Sequence, residues 1–167
     1  STIARESDDV LYTWAGPEIA VATTKAYSTQ LAVVDLIALY CAGQMGTVSR
    51  AEYDALLAAL QAIPEQLEAV LERREEIQYL ASIYFNHPSV FFIGRNMDYA
   101  VGLEGSLKLK EISYLHSEAY AAGELKHGTI SLIEPGTLVV AVAGCGHVFE
   151  KTMSNVVEVK SRGADVL

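Results

Sequence analysis

The chain has 167 residues, the size of one typical domain and short for two. Its 12 Lys and Arg residues against 21 Asp and Glu residues give a formal net charge of −9. This balance argues against a nucleic-acid-binding protein and against electrostatic adsorption to an anionic membrane. With 51% hydrophobic residues, the sequence is too apolar for a disordered segment and can bury a core.

Membrane and metal sites find little support in the sequence. The richest apolar stretch, 31–42, is interrupted by Asp35, so we predict no membrane span, and we expect no signal peptide. Cys41 and Cys145 are far apart and lack metal-ligand spacing, so we expect two buried free thiols and no zinc site. Both ends look cut, and we expect the chain to be a piece of a longer protein.

The first half of the chain is predicted to be mainly helical. Thr23 or Thr24 caps a first helix that Gly43 ends, and Ser49 with Glu52 forms a capping box for the next. Pro64 marks a break or the first turn of a third helix. The predicted elements are an acidic loop over 1–14 leading into a strand over 10–14, a turn over 15–22, and helices over 24–42, 50–63 and 65–85.

The second half has the pattern of an α/β domain. Its strands are continuous apolar runs, which is typical of buried parallel strands. The predicted elements are strands over 89–94 and 138–143, helices over 98–115, 118–127 and 150–161, and the start of a strand at 166. We therefore predict a three-layer αβα sandwich with a doubly wound parallel sheet.

The helix over 98–115 carries an unusual charged trio. Glu104, Lys108 and Glu111 are spaced four and three apart, so they share one helix face. Leu107 and Ile112 flank that face, and an apolar surround would desolvate the charges while letting them pair. Proton-transfer groups are tuned in this way. The alternative is an ordinary surface pair between Glu104 and Lys108.

The segment 118–128 is a second dense site. We predict a short helix that Ser117 caps and Gly128 ends. Glu124 and His127 are three residues apart and can touch, and His127 in the last turn could donate a proton. A C-capping histidine of purely structural value is the competing interpretation.

Two further segments have weaker signals. Thr23 and Thr24 follow Glu18 at a helix start, where hydroxyls and free N–H groups suit an anionic or polyhydroxy ligand. A threonine there can also be a simple cap. The loop beginning at Gly94 follows a strand but lacks the dinucleotide-binding glycine pattern.

Two stretches make the sequence resemble a known family. AGPEIAVATTKAYSTQ (15–30) and GRNMDYAVGLEGSLKLKEISYLHSEAYAAGELKHG (94–128) resemble glucosamine-6-phosphate synthases, also called glutamine–fructose-6-phosphate aminotransferases (isomerizing). The resemblance implies an SIS-type fold made of two sugar-isomerase (SIS) subdomains. Residues 1–62 would end the first subdomain, 63–88 form a linking helix, and 89–167 begin the second.

The resemblance also implies an activity and its site. The family converts fructose 6-phosphate and glutamine-derived ammonia to glucosamine 6-phosphate in amino-sugar biosynthesis. It implies that Glu111 moves a proton between C1 and C2, beside Lys108 and Glu104. His127 would help open the sugar ring from the neighbouring subunit of a homodimer. The substrate-binding residues implied for the sugar pocket are Val21, Thr23 and Glu18.

Other consequences of the resemblance concern partners and departures. It implies a glutaminase domain elsewhere in the protein, a cytoplasmic location, and no metal, organic cofactor, nucleic acid or membrane. Thr23 stands where the family often has Ser, and Thr129 where it usually has Pro. The phosphate loops and the Schiff-base lysine of the family are missing from the chain, so we expect the isolated chain to be inactive.

Three other functions stay open at this stage. A related SIS enzyme, such as a deglycase acting on a phosphorylated fructosamine, would share the fold and Glu111. A non-catalytic SIS module that senses a sugar phosphate would need neither Glu111 nor His127. A plain dimerisation module would account for the apolar helices but not for the charged trio.

Overall fold

The structure is a computed structural model that describes all 167 residues. The chain divides into two compact units, Ser1–Ile77 and Gln78–Leu167. The boundary falls inside a helix rather than in a loop. The helices of the first unit, with the one that crosses the boundary, are α1 (Thr2–Glu6), α2 (Lys25–Met45), α3 (Arg50–Glu72) and α4 (Arg74–Tyr84).

The start of the chain differs from the prediction. Ser1 caps the short helix α1 by accepting a hydrogen bond from the Ala4 amide (3.3 Å), and residues 10–14 form no strand. The predicted strand was wrong because a strand needs a neighbour for its backbone groups, and the first unit contains no sheet. Trp14 instead has a left-handed backbone (φ 55°) and an exposed side chain.

Helix α2 ends three residues later than predicted. Gly46, not Gly43, has the left-handed conformation (φ 64°) that closes the helix. Gly43 lies within the helix, where a Cβ would come 2.9 Å from the Tyr53 ring of α3. The glycine at 43 therefore permits close packing of two helices. In the sequence, such a packing glycine resembles a glycine that ends a helix.

Helix α3 confirms its predicted start and corrects its predicted end. Ser49 Oγ accepts from the Glu52 amide (3.2 Å), and Glu52 Oε2 accepts from the Ser49 amide (2.8 Å). The hydrogen bonds from Ser49 lower the pKa of Glu52. Pro64 lies inside the helix, which ends only at Glu72. The strong helix formers on both sides, largely Ala, Leu, Glu and Gln, carry the helix across the one backbone bond that proline cannot donate.

Helix α2 is also, by length and composition alone, long and apolar enough to cross a membrane. This finding departs from the sequence prediction, although it is weak evidence because core helices of non-membrane proteins meet the same criteria. Asp35 lies in the middle of the helix, and a carboxylate at that depth is unfavourable in hydrocarbon. Several of its apolar side chains are exposed, namely Leu31, Val34, Leu36, Ile37 and Tyr40.

The second unit is built around one parallel sheet, as predicted. Strand order is β2-β1-β3-β4, and all three pairings are parallel. Val90 of β1 pairs in register with Leu138 of β3, so the two predicted apolar runs are neighbouring strands. The elements are β1 (Ser89–Gly94), α5 (Met97–Ser113), β2 (His116–Ala121), β3 (Leu138–Ala141), α6 (Phe149–Ser161) and β4 (Asp165–Val166).

The predicted helix over 118–127 was wrong. Residues 116–121 form strand β2 alongside β1, and only Ala122–His127 is helical, as a short 3₁₀ turn. Ser117 is not a helix cap but a buried strand residue that donates a hydrogen bond to Ser106 Oγ (3.0 Å). Pairing with β1 overrides the helix propensity of this alanine-rich segment.

The core lies on one face of the sheet. Phe91, Ile93 and Val139 project from the strands against Val156 and Val159 of α6. On the other face α5 packs through small residues, because a Cβ at Gly105 would come 3.0 Å from the Phe92 ring. The sheet therefore fixes both helices that flank it.

Gly94 provides a test of how tightly α5 follows β1. A Cβ there would lie 2.6 Å from the carbonyl carbon of Asp98, a backbone atom that cannot move aside. We expect Gly94→Ala to destabilise the second unit by about 1–3 kcal/mol, the usual cost of overpacking. Urea unfolding, with amide exchange of β1 as the local probe, measures this loss.

Gly146 supplies the matched control, since a Cβ there meets nothing within 4 Å. Gly146→Ala should leave the free energy of unfolding within about 0.5 kcal/mol of the parent value. Equal effects of the two substitutions would contradict the close approach of β1 and α5.

Candidate functional site

The structure brings the three charged residues of α5 together. Lys108 Nζ lies 2.6 Å from Glu111 Oε2 and 3.5 Å from Glu104 Oε1. Their side chains are only 17%, 26% and 22% exposed, respectively. The spacing of four and three residues on a regular helix accounts for this meeting. The trio is thus a half-buried cluster and not a solvated surface pair.

The source of this burial differs from the expectation. Leu107 and Ile112, which flank the trio in sequence, are themselves exposed (42% and 65%). They do not enclose the charges, so the apolar surround predicted from the helix pattern is incomplete.

The electrostatics of the trio are asymmetric. The hydrogen bond that Lys108 donates to Glu111 is the main reason that the pKa of Lys108 is raised, while partial burial acts in the opposite direction. One ammonium serves two carboxylates, so the trio has a net charge of −1, and Glu104 is the less engaged of the two. A carboxylate held in place by an ammonium, in a half-buried setting, can accept a proton from a neighbouring carbon acid.

His127 lies at the end of the 3₁₀ turn Ala122–His127, named here the histidine turn. Its Nε2 is 3.9 Å from Glu124 Oε2, so the two residues meet as their spacing predicts, and both side chains are 76% exposed. A six-residue 3₁₀ turn lacks the macrodipole of a longer helix. No hydrogen bond or ion pair joins His127 to the charged trio.

The other predicted site residues, Glu18, Val21 and Thr23, belong to the first unit. Glu18 Oε1 accepts a hydrogen bond from the Thr24 amide (3.0 Å), whereas the threonine side chain makes no cap. Glu18 Oε2 is buried and has no partner. Val21 is 87% exposed. A carboxylate thus occupies the start of α2, and its unpaired oxygen favours a hydroxyl-bearing ligand over an anion.

The carboxyl edge of the sheet holds contacts that the sequence analysis missed. Asp98, only 7% exposed, accepts a hydrogen bond from the Cys145 amide (2.9 Å). His147, for which no partner was predicted, lies 3.3 Å from Cys145 Sγ and 3.1 Å from Asn96 Nδ2. Both cysteines were predicted to be buried, but Cys41 is exposed and Cys145 is partly exposed. The one sequence signal for this edge was the loop that begins at Gly94.

Strand β2 carries a second contact that was not predicted. The Tyr120 hydroxyl donates a short hydrogen bond to Glu118 Oε2. This bond is the main reason that the pKa of Tyr120 is raised to about 12, with burial and the negative charge of Glu118 adding to it. Tyr120 therefore stays a neutral donor throughout the physiological range.

Comparisons with known proteins agree with this fold. A family model described as "SIS domain" matches residues 83–167. The chain is 55% identical over all 167 residues to a glutamine–fructose-6-phosphate aminotransferase [isomerizing] of Caldanaerobacter subterraneus and 56% identical to that of Clostridium tetani. It spans 28% of the length of each of these relatives.

Solved structures give the same picture. The C-terminal domain of glucosamine-fructose-6-phosphate aminotransferase from Francisella tularensis superposes with a TM-score of 0.96 at 37% identity. The match covers 99% of this chain and 47% of that one. A putative phosphosugar isomerase from Silicibacter pomeroyi matches with a TM-score of 0.76 at 33% identity, covering 99% and 47% of the two chains.

The Tyr120 contact predicts an unusual titration. The raised pKa means that the neutral hydroxyl persists as pH rises through 10 and is lost only near 12. We therefore expect Tyr120→Phe to leave the phenolate absorbance at 295 nm almost unchanged at pH 11, because only about 10% of Tyr120 would be ionised there. Glu118→Gln should bring the pKa of Tyr120 down towards 10. Loss of one full tyrosine signal at pH 11 in Tyr120→Phe would contradict the bond.

Proposed function

The chain belongs to the SIS domain family, and we propose that it is part of the isomerase domain of a glutamine–fructose-6-phosphate aminotransferase (isomerizing). Such an enzyme converts fructose 6-phosphate and glutamine-derived ammonia to glucosamine 6-phosphate. The identity of 55% to a relative of that name, over every residue of the chain, supports this assignment. Because the chain spans only 28% of that relative, the glutaminase domain and the remaining sugar contacts would lie in other parts of the protein.

The main structural support for this proposal is the 2.6 Å contact between Lys108 Nζ and Glu111 Oε2. Isomerisation needs a base that removes a proton from one sugar carbon and returns it to the next. Glu111 is the candidate, because its carboxylate is half-buried and held by a neighbouring cation. Glu111 moves the proton between C1 and C2, while the ammonium of Lys108 orients it and offsets negative charge that develops on the substrate.

Glu104 completes the trio in a supporting role. At 3.5 Å from Lys108 Nζ it holds the ammonium from the other side without competing strongly for it. This placement keeps Lys108 charged and on the helix face that it shares with Glu111. We assign Glu104 to orientation of the lysine rather than to proton transfer.

His127 is proposed to assist opening of the sugar ring. Its 76% exposure and its lack of contact with the trio suit a group that reaches the substrate of a neighbouring subunit. The proposal therefore includes a homodimer. Val21, Thr23 and Glu18 are proposed to bind sugar hydroxyls, which the unpaired Glu18 Oε2 supports.

The remaining parts of the proposal follow from the reaction. General acid and base groups suffice for it, so the proposal includes no metal or organic cofactor. The substrates are small metabolites, so it includes no nucleic acid and no membrane, and it includes a cytoplasmic location. The chain alone, without the phosphate-binding loops and the Schiff-base lysine of the family, is proposed to be inactive.

The proton-transfer role can be tested with Glu111→Gln in the full-length enzyme. The amide keeps the shape of the side chain but removes its basic oxygen. We expect turnover of fructose 6-phosphate to fall on the order of a hundredfold or more, while binding of the sugar phosphate survives. Solvent deuterium incorporation at C1 and C2, followed by NMR, reports the proton step itself.

Glu134→Gln provides the control, since Glu134 is exposed and forms no ion pair. It removes the same charge and should turn over like the parent enzyme. Near-normal turnover of Glu111→Gln would show that the charged trio is structural. Normal deuterium exchange without glutamine-dependent formation of glucosamine 6-phosphate would instead favour another SIS sugar-phosphate enzyme.

A further inference from the structure

The histidine turn is positioned by contacts with other elements of the second unit. It has six residues and 3₁₀ geometry, whose hydrogen bonds are poorer than those of an α-helix. Two of its side chains, Ala122 and Leu125, are fully buried in the core and fix its inner side. His127 and Lys126 lie on the outer side, so their positions depend on other contacts.

The first such contact comes from Arg95, directly after β1. Its guanidinium lies against Gly123, where a Cβ would be 3.0 Å from Arg95 Nη1. Arg95 Nε and Nη2 both donate to Asn155 Oδ1, at 3.0 and 2.9 Å. The guanidinium is thus held against the backbone of the histidine turn, and a side chain at 123 would require it to shift.

The second contact starts from the same asparagine. Asn155, only 2% exposed, donates from Nδ2 to Glu158 Oε2 (3.2 Å), one turn further along α6. Glu158 Oε1 in turn lies 2.8 Å from Lys126 Nζ. The hydrogen bond from Lys126 is the main reason that the pKa of Glu158 is lowered. The carboxylate is therefore ionised at neutral pH.

This network has one consistent direction. Asn155 Oδ1 receives both arginine donors and Asn155 Nδ2 donates to the carboxylate, so a flipped amide would place donors against donors. The chain of contacts runs from Arg95, directly after β1, through Asn155 and Glu158 of α6 to Lys126. Both ends meet the histidine turn, because Arg95 lies against Gly123 and Lys126 is itself part of the turn. These two positions are four residues and one residue before His127.

We propose that Asn155 and Glu158 of α6 are positioning residues for His127, acting through Arg95 and Lys126. The proposal rests on the role given to His127 under Proposed function. Neither residue needs to touch the sugar. Together they fix the backbone that presents the imidazole, and a displacement of about 1 Å at such a group can lower turnover on the order of a hundredfold.

Amide exchange of the full-length enzyme tests the positioning without any turnover. Glu158→Gln keeps the shape of the side chain and removes the charge that holds Lys126. We expect amides of residues 123–127 to exchange about tenfold faster, as loss of a charged hydrogen bond implies. Glu150→Gln is the control, because it removes the same charge from the exposed first turn of the same helix and should leave these amides unchanged.

Kinetics of the same variants connect the turn to His127. Glu158→Gln should lower kcat on the order of tenfold with little change in KM, and should add no further loss to His127→Ala. Unchanged exchange over 123–127, or a kcat loss that multiplies fully with that of His127→Ala, would overturn the positioning role. Wild-type kcat in His127→Ala would contradict the proposed role of His127, while the exchange data would still decide whether α6 holds the turn.

A second variant tests the same ion pair if Glu158→Gln fails to fold. Lys126 is 62% exposed, and Lys126→Gln removes the same ion pair from the side of the turn. It should give the same faster exchange and the same kinetic pattern. A folded Lys126→Gln variant with parental exchange would refute the proposal.

Discussion

The placement of every group on the second unit depends on the central position of β1. Strand β1 pairs on both sides, with β2 over six residues and with β3 over four. Its backbone donors and acceptors are satisfied only in this arrangement, because an unpaired buried backbone group is costly. The carboxyl end of β1 therefore marks a fixed point. Helix α5 starts three residues after it, and Gly94 lets the Asp98 backbone approach closely enough for that tight connection.

From this point the chemistry follows by helix geometry. Once α5 is pinned to the sheet through small residues, residues at spacings of four and three fall on one face and are half-buried together. Two carboxylates then share one ammonium, and the shorter contact goes to Glu111. The partial burial makes each interaction stronger than on an open surface, yet leaves the Glu111 carboxylate accessible to a substrate. A fully buried trio would have been worse placed for proton transfer.

Elements that depend on interactions between nearby residues were predicted correctly from the sequence, whereas those that depend on distant residues were not. Strand β1, helix α5 and the Ser49 capping box were predictable because each is defined by residues a few positions apart. Strand β2 was missed because its alanine-rich sequence favours a helix and becomes a strand only by pairing with β1. The strand predicted over 10–14 failed for the opposite reason, since it has no partner. The charged trio was visible as a spacing, whereas the Arg95–Asn155 contact joins residues 60 positions apart and has no local signature.

The contrast between the two parts of the site has a physical reason. The trio can be held by its own helix, because the proton transfer proposed for it is compatible with half-buried side chains. In the proposed function His127 stays exposed to reach a substrate, so burial cannot fix it, and a six-residue 3₁₀ turn is too short to do so. The position of His127 therefore depends on other residues that can be buried. Val156 and Val159 anchor α6 in the core, and Asn155 and Glu158 on the same helix extend that rigidity to the turn through directional polar bonds. A polar network suits this task better than apolar packing, because its geometry specifies orientation as well as proximity.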